Sequence, residues 1–197
     1  MHGLIPRNAA APVKPPRTRR EEIRPLNREQ VRALFEATRE DRLEALYIVA
    51  VTTGLRRGDL QGLKWEDLDR EGGTLQVRRT LSEPKGVYIF EAPKSGEGRN
   101  IRLTQRAAAA LTRHRKRQLR ERMEHGALWQ EKGLVFPSSV GTPLSGGNLN
   151  RTFKGTLQRA GLQRAPAFTI SRPAAHLRHT PAEAGRKPQV RPGTARA

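Results

Sequence analysis

The chemistry open to this chain is that of fixed cations. Lys and Arg number 38 against 19 Asp and Glu, a formal net charge of +19. There is no cysteine, so thiol nucleophiles, disulfides and Cys-ligated zinc are excluded. Five histidines are scattered without H-E-x-x-H spacing, which argues against a metal enzyme. Tyr47 and Tyr88 are the two phenols. Cations that neutralise phosphates release counterions, so nucleic acid is the leading partner. An anionic membrane surface ranks second, and a merely self-repelling soluble surface third.

The cations are concentrated in elements that can be read from pattern. Asn27 followed by Gln30 fits a capping box, and Val31, Leu34 and Phe35 repeat at helical spacing, so a helix is expected over 27–39. Leu43, Leu46, Tyr47, Ala50 and Val51 mark the inward side of a second helix, 41–53, which Gly54 ends. Arg56 to Leu63 forms a short third helix, and Trp65 to Asp69 turns the chain toward Gly72-Gly73. The period then changes to two. Strands are expected at Leu75–Val77, at Val87–Phe90 after a turn at Ser82–Gly86, and at Asn100–Leu103. Together they make one small three-stranded antiparallel sheet. A long basic helix follows at 105–124, carrying Arg113, Arg115, Lys116, Arg117, Arg120 and Arg122. Leu134-Val135-Phe136 reads as a brief buried strand, and Leu149, Phe153 and Leu157 place a last helix at 147–160.

The ends have a different character. Residues 1–24, with Ala9-Ala10-Ala11-Pro12 and Pro15-Pro16, read as a flexible linker, which implies a segment once before it. Residues 164–197 are basic and broken by Pro166, Pro173, Pro181, Pro188 and Pro192, with no apolar period, so they are expected to be disordered. The expected domain lies between, at 25–163. No apolar run approaches the roughly 18 residues of a membrane span. The first residues, Met1 to Pro6, lack a signal-peptide core, which predicts a cytoplasmic location.

One segment is specific. Thr53-Gly54-Leu55-Arg56-Arg57-Gly58-Asp59-Leu60-Gln61-Gly62-Leu63-Lys64-Trp65-Glu66-Asp67-Leu68-Asp69 resembles the first arginine box of the tyrosine recombinases, the phage-integrase family. Pro93-Lys94-Ser95, followed by Arg99-Asn100-Ile101-Arg102-Leu103, resembles that family's lysine turn and next strand. Gly133-Leu134-Val135-Phe136-Pro137, with Gly141-Thr142-Pro143-Leu144, resembles a later connection. The resemblance covers about Pro25 to Leu162. It implies an α+β, mostly helical fold of the DNA breaking-rejoining type, incomplete here. Family members cut DNA by tyrosine attack on a phosphate, with no metal and no cofactor, and fixed cations hold the transition state. By resemblance, Arg56 is the first clamp and Lys94 the general acid to the leaving 5′ oxygen. Arg178 is the second clamp. Asp59 is expected to cap or orient the Arg56 turn. The exposed face of the basic helix, with Arg113, Arg115, Lys116 and Arg117, is expected to contact the DNA backbone. The implied partners are double-stranded DNA and other recombinase subunits bound to it, with no membrane and no metal.

The resemblance fails toward the end. Leu177-Arg178-His179-Thr180 fits the family's H-x-L-R-H-T box, but Ala175 stands where its first histidine belongs, and no tyrosine follows Tyr88. Back-translated and read from the second base of each codon, Pro181 to Arg196 permits L-L-K-L-G-V-N-P-K-S-V-Q-E-R-L-G, similar to the family's stretch after the box. A different offset across Ala167 to Ile170 permits F-H-D-L, the start of the box. A frameshifted C-terminal part is therefore expected. The family's separate helical DNA-clamping domain is expected to be missing at the other end. Tyr47 lies on an apolar helix face and Tyr88 in a hairpin, neither placed as the nucleophile. The reading is a DNA-binding remnant of a site-specific recombinase acting in DNA integration and recombination, inactive in this form. The alternative is a non-catalytic DNA-binding protein. A basic RNA-binding protein ranks third, since five Phe, two Trp and two Tyr leave few stacking platforms.

Overall fold

The computed structural model describes residues 26–93 and 98–162. The expected linker 1–24, the tail 164–197, Lys94 and Arg178 lie outside the described residues.

Helix α1 (Arg28–Ala37) opens on the expected capping box: Asn27 Oδ1 accepts from the Gln30 amide at 2.8 Å, and Gln30 Oε1 accepts from the Asn27 amide at 2.9 Å. Helix α2 (Glu44–Thr53) is buried on all sides from Ala45 to Ala50 and forms the centre of the core. It starts three residues later than expected. Asp41 builds a turn instead, with its Oδ1 accepting from the Leu43 amide at 2.9 Å and its carbonyl from the Glu44 amide at 3.0 Å. Gly54 ends α2 at φ 71°, a left-handed conformation that favours glycine. Helix α3 (Arg57–Gly62) follows, then a 3-10 turn at Trp65–Asp67.

The sheet departs from expectation. Strands β1 (Leu68–Asp69), β2 (Thr74–Val77), β3 (Thr80–Ser82), β4 (Ile89–Glu91) and β5 (Arg99–Arg102) form two sheets. One is antiparallel and three-stranded in the order β1-β2-β5, with Leu75 opposite both Leu68 and Ile101. The other is a β3-β4 pair with Leu81 opposite Phe90. The 87–90 segment therefore does not pair with 75–77. The cause lies at Arg79, whose Nη1 and Nη2 donate to Asp67 Oδ2 and Glu66 Oε1, both at 2.8 Å. Those pairs turn the chain out of β2 before β3 begins. β3 then packs on α3, where Gly58 and Gly62 leave room: a Cβ at Gly58 would stand 2.8 Å from the Leu81 carbonyl oxygen. The third strand of the main sheet is Leu68–Asp69, expected as a turn.

Helix α4 (Gln105–His125) lays Ala107, Ala110, Leu111, His114 and Gln118 on the core, and α5 (Gly146–Arg159) adds Leu149 and Phe153. Leu134-Val135-Phe136 is buried as expected, but it makes a single bridge rather than a strand, Leu134 opposite Lys64. The Val135 amide donates to the Leu63 carbonyl at 2.8 Å.

His114 is the core's one imidazole among the described residues, 3% exposed. Its Nε2 meets the Val135 carbonyl at 2.6 Å, and Arg117 Nη2 approaches its Nδ1 at 3.4 Å. That arrangement fits the neutral tautomer with Nε2 protonated. Burial, aided by Arg117 and Arg42, lowers its pKa from 6.5 to about 4. Below 6.5 the unfolded chain takes up a proton that the folded core refuses. Stability is expected to be complete above pH 6.5 and to fall as pH drops from 6.5 toward 4, with a loss of about 3 kcal/mol. In His114→Gln this part of the pH dependence is expected to vanish, as measured by urea unfolding across that range.

Candidate active site

The candidate site is built at the α2–α3 junction. Leu55 is buried and anchors the junction, which leaves its neighbour Arg56 exposed. Arg56 has an extended backbone, φ −71° and ψ 157°, at the N-cap position of α3. Its guanidinium makes no hydrogen bond or ion pair with any other described residue. Asp59 lies one turn on and is 4% exposed. Its Oδ2 accepts from the Arg56 amide at 3.3 Å and from Arg99 Nη2, on β5, at 3.0 Å. The expected capping role of Asp59 is thus present, and a cation from the sheet balances its charge.

The same device recurs eight residues later. Asp67 Oδ2 accepts from the Lys64 amide at 2.8 Å and from Arg79 Nη1 at 2.8 Å. Asp at the third position of two successive helical turns is legible in sequence. Its arginine partners, brought in from strands, are not.

Arg57, next to Arg56, turns the other way. Its guanidinium packs on Gly146 at the start of α5, where a Cβ would stand 3.1 Å from Arg57 Cζ. Glu83 Oε2 accepts from the Gly146 amide at 2.9 Å, placing a carboxylate at the positive end of α5.

The four cations expected on one face of α4 divide between two sides. Arg113 Nη2 pairs with Glu44 Oε1 at 3.0 Å. Arg117 donates to the carbonyls of Asp41 at 2.8 Å and Arg42 at 2.6 Å, with Glu40 at 3.3 Å. Both face α2 and the turn before it. Arg115 lies over the Trp65 ring, 4.8 Å from its centroid, and Lys116 borders a cleft lined by Trp65, Arg70 and Thr112. Arg42, unremarked in the sequence, holds Glu121 through Nε and Nη2 at 2.9 Å each, and the Pro137 and Ser138 carbonyls at 2.9 Å.

The tyrosines are placed as expected. Tyr47 is 1% exposed, and its ring lies 5.4 Å from that of Phe153. Its hydroxyl sits beside Thr156 without hydrogen-bond geometry, and burial raises its pKa. Tyr88 is on the hairpin, where partial burial and then Glu83 raise its pKa.

The fold that carries this site has counterparts among known proteins. The model of the phage integrase family matches residues 24–184. The chain belongs to that family. The match continues past Thr180 and so includes the stretch holding Arg178. A tyrosine recombinase XerC-like protein of Caldanaerobacter subterraneus subsp. tengcongensis is 35% identical over 154 residues, 72% of this chain and 39% of the relative. An integrase of Streptomyces ambofaciens is 29% identical, covering 71% of this chain and 37% of the relative. The chain therefore spans about two-fifths of the length of these relatives. In fold it is similar to the Tn1549 transposon integrase, solved in complex with transposon right end DNA, with a TM-score of 0.61 at 22% identity over 71% of this chain and 45% of that one. The XerA recombinase gives a TM-score of 0.55 at 22% identity over 71% of this chain and 44% of that one.

The Asp67–Arg79 pair has a measurable consequence. Asp67→Ala leaves the Lys64 amide without its acceptor and Arg79 with Glu66 as its remaining acid, and is expected to cost about 3 kcal/mol. Arg79→Ala, which strands the buried carboxylate, is expected to cost a similar amount. The double variant should cost clearly less than the sum, which a denaturant-unfolding cycle reads directly.

Proposed function

We propose that this chain is the catalytic-domain part of a DNA-integrating or DNA-recombining enzyme that grips a phosphate of duplex DNA, and that it does not complete strand transfer by itself. The observation that carries this reading is Arg56, an exposed cation free of partners among the described residues on a backbone that Asp59 holds. A planar, permanently charged fork is the group that two phosphate oxygens need as charge builds in the transition state. The family supplies the other two parts: Lys94 as general acid and Arg178 as second clamp, both outside the described residues. No metal or cofactor is assigned a role.

Backbone contact beyond the site falls to the remaining cations. Arg115 and Lys116 are available to a phosphate strand, whereas Arg113 and Arg117 are already engaged with the protein and act through their field. Further recombinase subunits on the same DNA are the proposed protein partners. The proposed location is cytoplasmic, and among the described residues no helix is long and apolar enough to cross a membrane.

Covalent chemistry needs a nucleophile whose oxygen reaches the phosphorus. Tyr47 is sealed in the core and Tyr88 sits on the hairpin with a raised pKa. The alternative, a non-catalytic DNA-binding protein, draws on the same two placements.

Two measurements test this reading. Incubated alone with a nicked suicide duplex, the chain is expected to form no covalent adduct. An adduct mapping to Tyr47 or Tyr88 would contradict the placement of both. Binding to duplex DNA is expected to be weak and salt-sensitive. Arg115→Ala with Lys116→Ala should flatten the plot of log K against log salt by about 0.9 for each phosphate that the two side chains neutralise. Arg113→Ala with Arg117→Ala should alter the slope far less, and an equal change would place the DNA surface along α2 instead.

A further inference from the structure

We infer that Arg99 is a positioning residue for Arg56, acting through Asp59 rather than on DNA itself. The inference rests on the reading of Arg56 as a phosphate ligand and adds to it the element that aims that ligand. Asp59 Oδ2 is shared: it accepts from the Arg56 amide at 3.3 Å and from Arg99 Nη2 at 3.0 Å. The Asp59 side chain is 4% exposed and that of Arg99 45% exposed. The carboxylate is thus held in a place where water cannot balance its charge, and Arg99 is the cation that does so. Without Arg99 the carboxylate loses its partner on the sheet, swings toward solvent and loosens from the Arg56 amide.

The sequence position of Arg99 gives this pairing its reach. It stands on β5, 40 residues from Asp59, opposite Val77 of β2. β5 is fixed to β2 through Leu75–Ile101 and to the loop before β2 by the Leu103 amide, which donates to the Gly73 carbonyl at 2.9 Å. Arg99 therefore joins the main sheet to the first turn of α3. Through this link the orientation of the Arg56 backbone, and with it the direction in which its side chain leaves, is referred to the sheet rather than to α2 alone.

Arg99 is half-exposed, so direct phosphate contact is the rival role, and charge separates the two. Arg99→Gln and Arg99→Met are close in volume and both neutral, but only Gln can donate to Asp59. The test is a set of binding titrations of the full chain on duplex DNA of arbitrary sequence, each over a salt series. Arg56→Ala is expected to weaken binding roughly tenfold and lower the salt slope by about 0.9. Arg99→Gln is expected to keep the parent's slope and to weaken binding less than Arg99→Met, because its amide donates to Asp59 but leaves the carboxylate's charge uncompensated. Arg99→Met is expected to weaken binding about fivefold with an unchanged slope, as removal of one partly exposed hydrogen bond implies, and to add nothing to Arg56→Ala. Hydrogen exchange at the Arg56 amide is expected to quicken in Arg99→Met and to quicken less in Arg99→Gln. A slope lowered by about 0.9 in Arg99→Gln would mean that Arg99 touches a phosphate, and would overturn the inference. Additive losses in the Arg56→Ala, Arg99→Met double variant would overturn it too. If Arg99→Met does not fold, the slope of Arg99→Gln alone decides. A parent-like slope in Arg56→Ala would overturn the underlying reading of Arg56 instead, whatever Arg99 does.

Discussion

Two carboxylates that cannot reach water organise this molecule. Asp59 and Asp67 are each 4% exposed, one turn into consecutive helical pieces, and each caps the start of its own piece. An uncompensated charge at such depth costs several kcal/mol, so each requires a cation. Arg99 and Arg79 supply them, one from β5 and one from the link between β2 and β3. The arginine box is thereby fastened to the sheet at two points, and most of the departures from a simple hairpin meander follow. Arg79, drawn to Asp67 and Glu66, pulls the chain off the main sheet. β3 and β4 are then left as a separate pair lying on α3, an approach that only glycine at 58 and 62 allows.

The opposite side of the domain is held by a different kind of interaction. There arginine serves backbone carbonyls. Arg42 and Arg117 between them bind carbonyls of Asp41, Arg42, Pro137 and Ser138, and Arg42 adds a forked pair with Glu121. These donors tie the irregular backbone before α2 to the segment after Phe136. Gln118 performs a related task across α4, accepting from Trp65 Nε1 at 2.6 Å and donating to the Leu134 carbonyl at 2.9 Å. His114 completes the layer. Arg117 thus has an interior role that its place in a basic run hides.

Net charge is therefore a poor guide to where a polyanion would lie. The chain carries +19, yet Arg42, Arg79, Arg99, Arg113 and Arg117 are each engaged by acids or carbonyls of the same molecule. Arg56 stands apart because its neighbourhood constrains its backbone and leaves its side chain uncommitted. The clamp role proposed for Arg56 calls for that combination, since such a group works best when its position is settled before the ligand arrives.

The helices, the class of fold and the arginine box are legible in the chain's local patterns. Asn27 with Gln30, the apolar period of α1, α2 and α5, Gly54, and the run from Thr53 to Asp69 are local signals, written by neighbours within a turn or two of chain. Tyr47 in the core was legible for the same reason, because helical spacing shows which face turns inward. The capping use of Asp59 was also local. Pairing across distance is not legible there and emerges with the folded chain. The period-two pattern at 75–77, 87–90 and 100–103 shows strands without saying which lie side by side, and it does not reveal the strand at 80–82. Their partition into two sheets was settled by Arg79 meeting Asp67, 12 residues away in sequence. The division of α4's cations into engaged and free likewise depends on what each meets on α2 and at Trp65. Arg99 reaching Asp59 across 40 residues belongs to the same class. An ion pair leaves no spacing rule in a sequence with this many arginines. Which of them meets a buried carboxylate is settled only when the sheet has folded onto the helix that carries it.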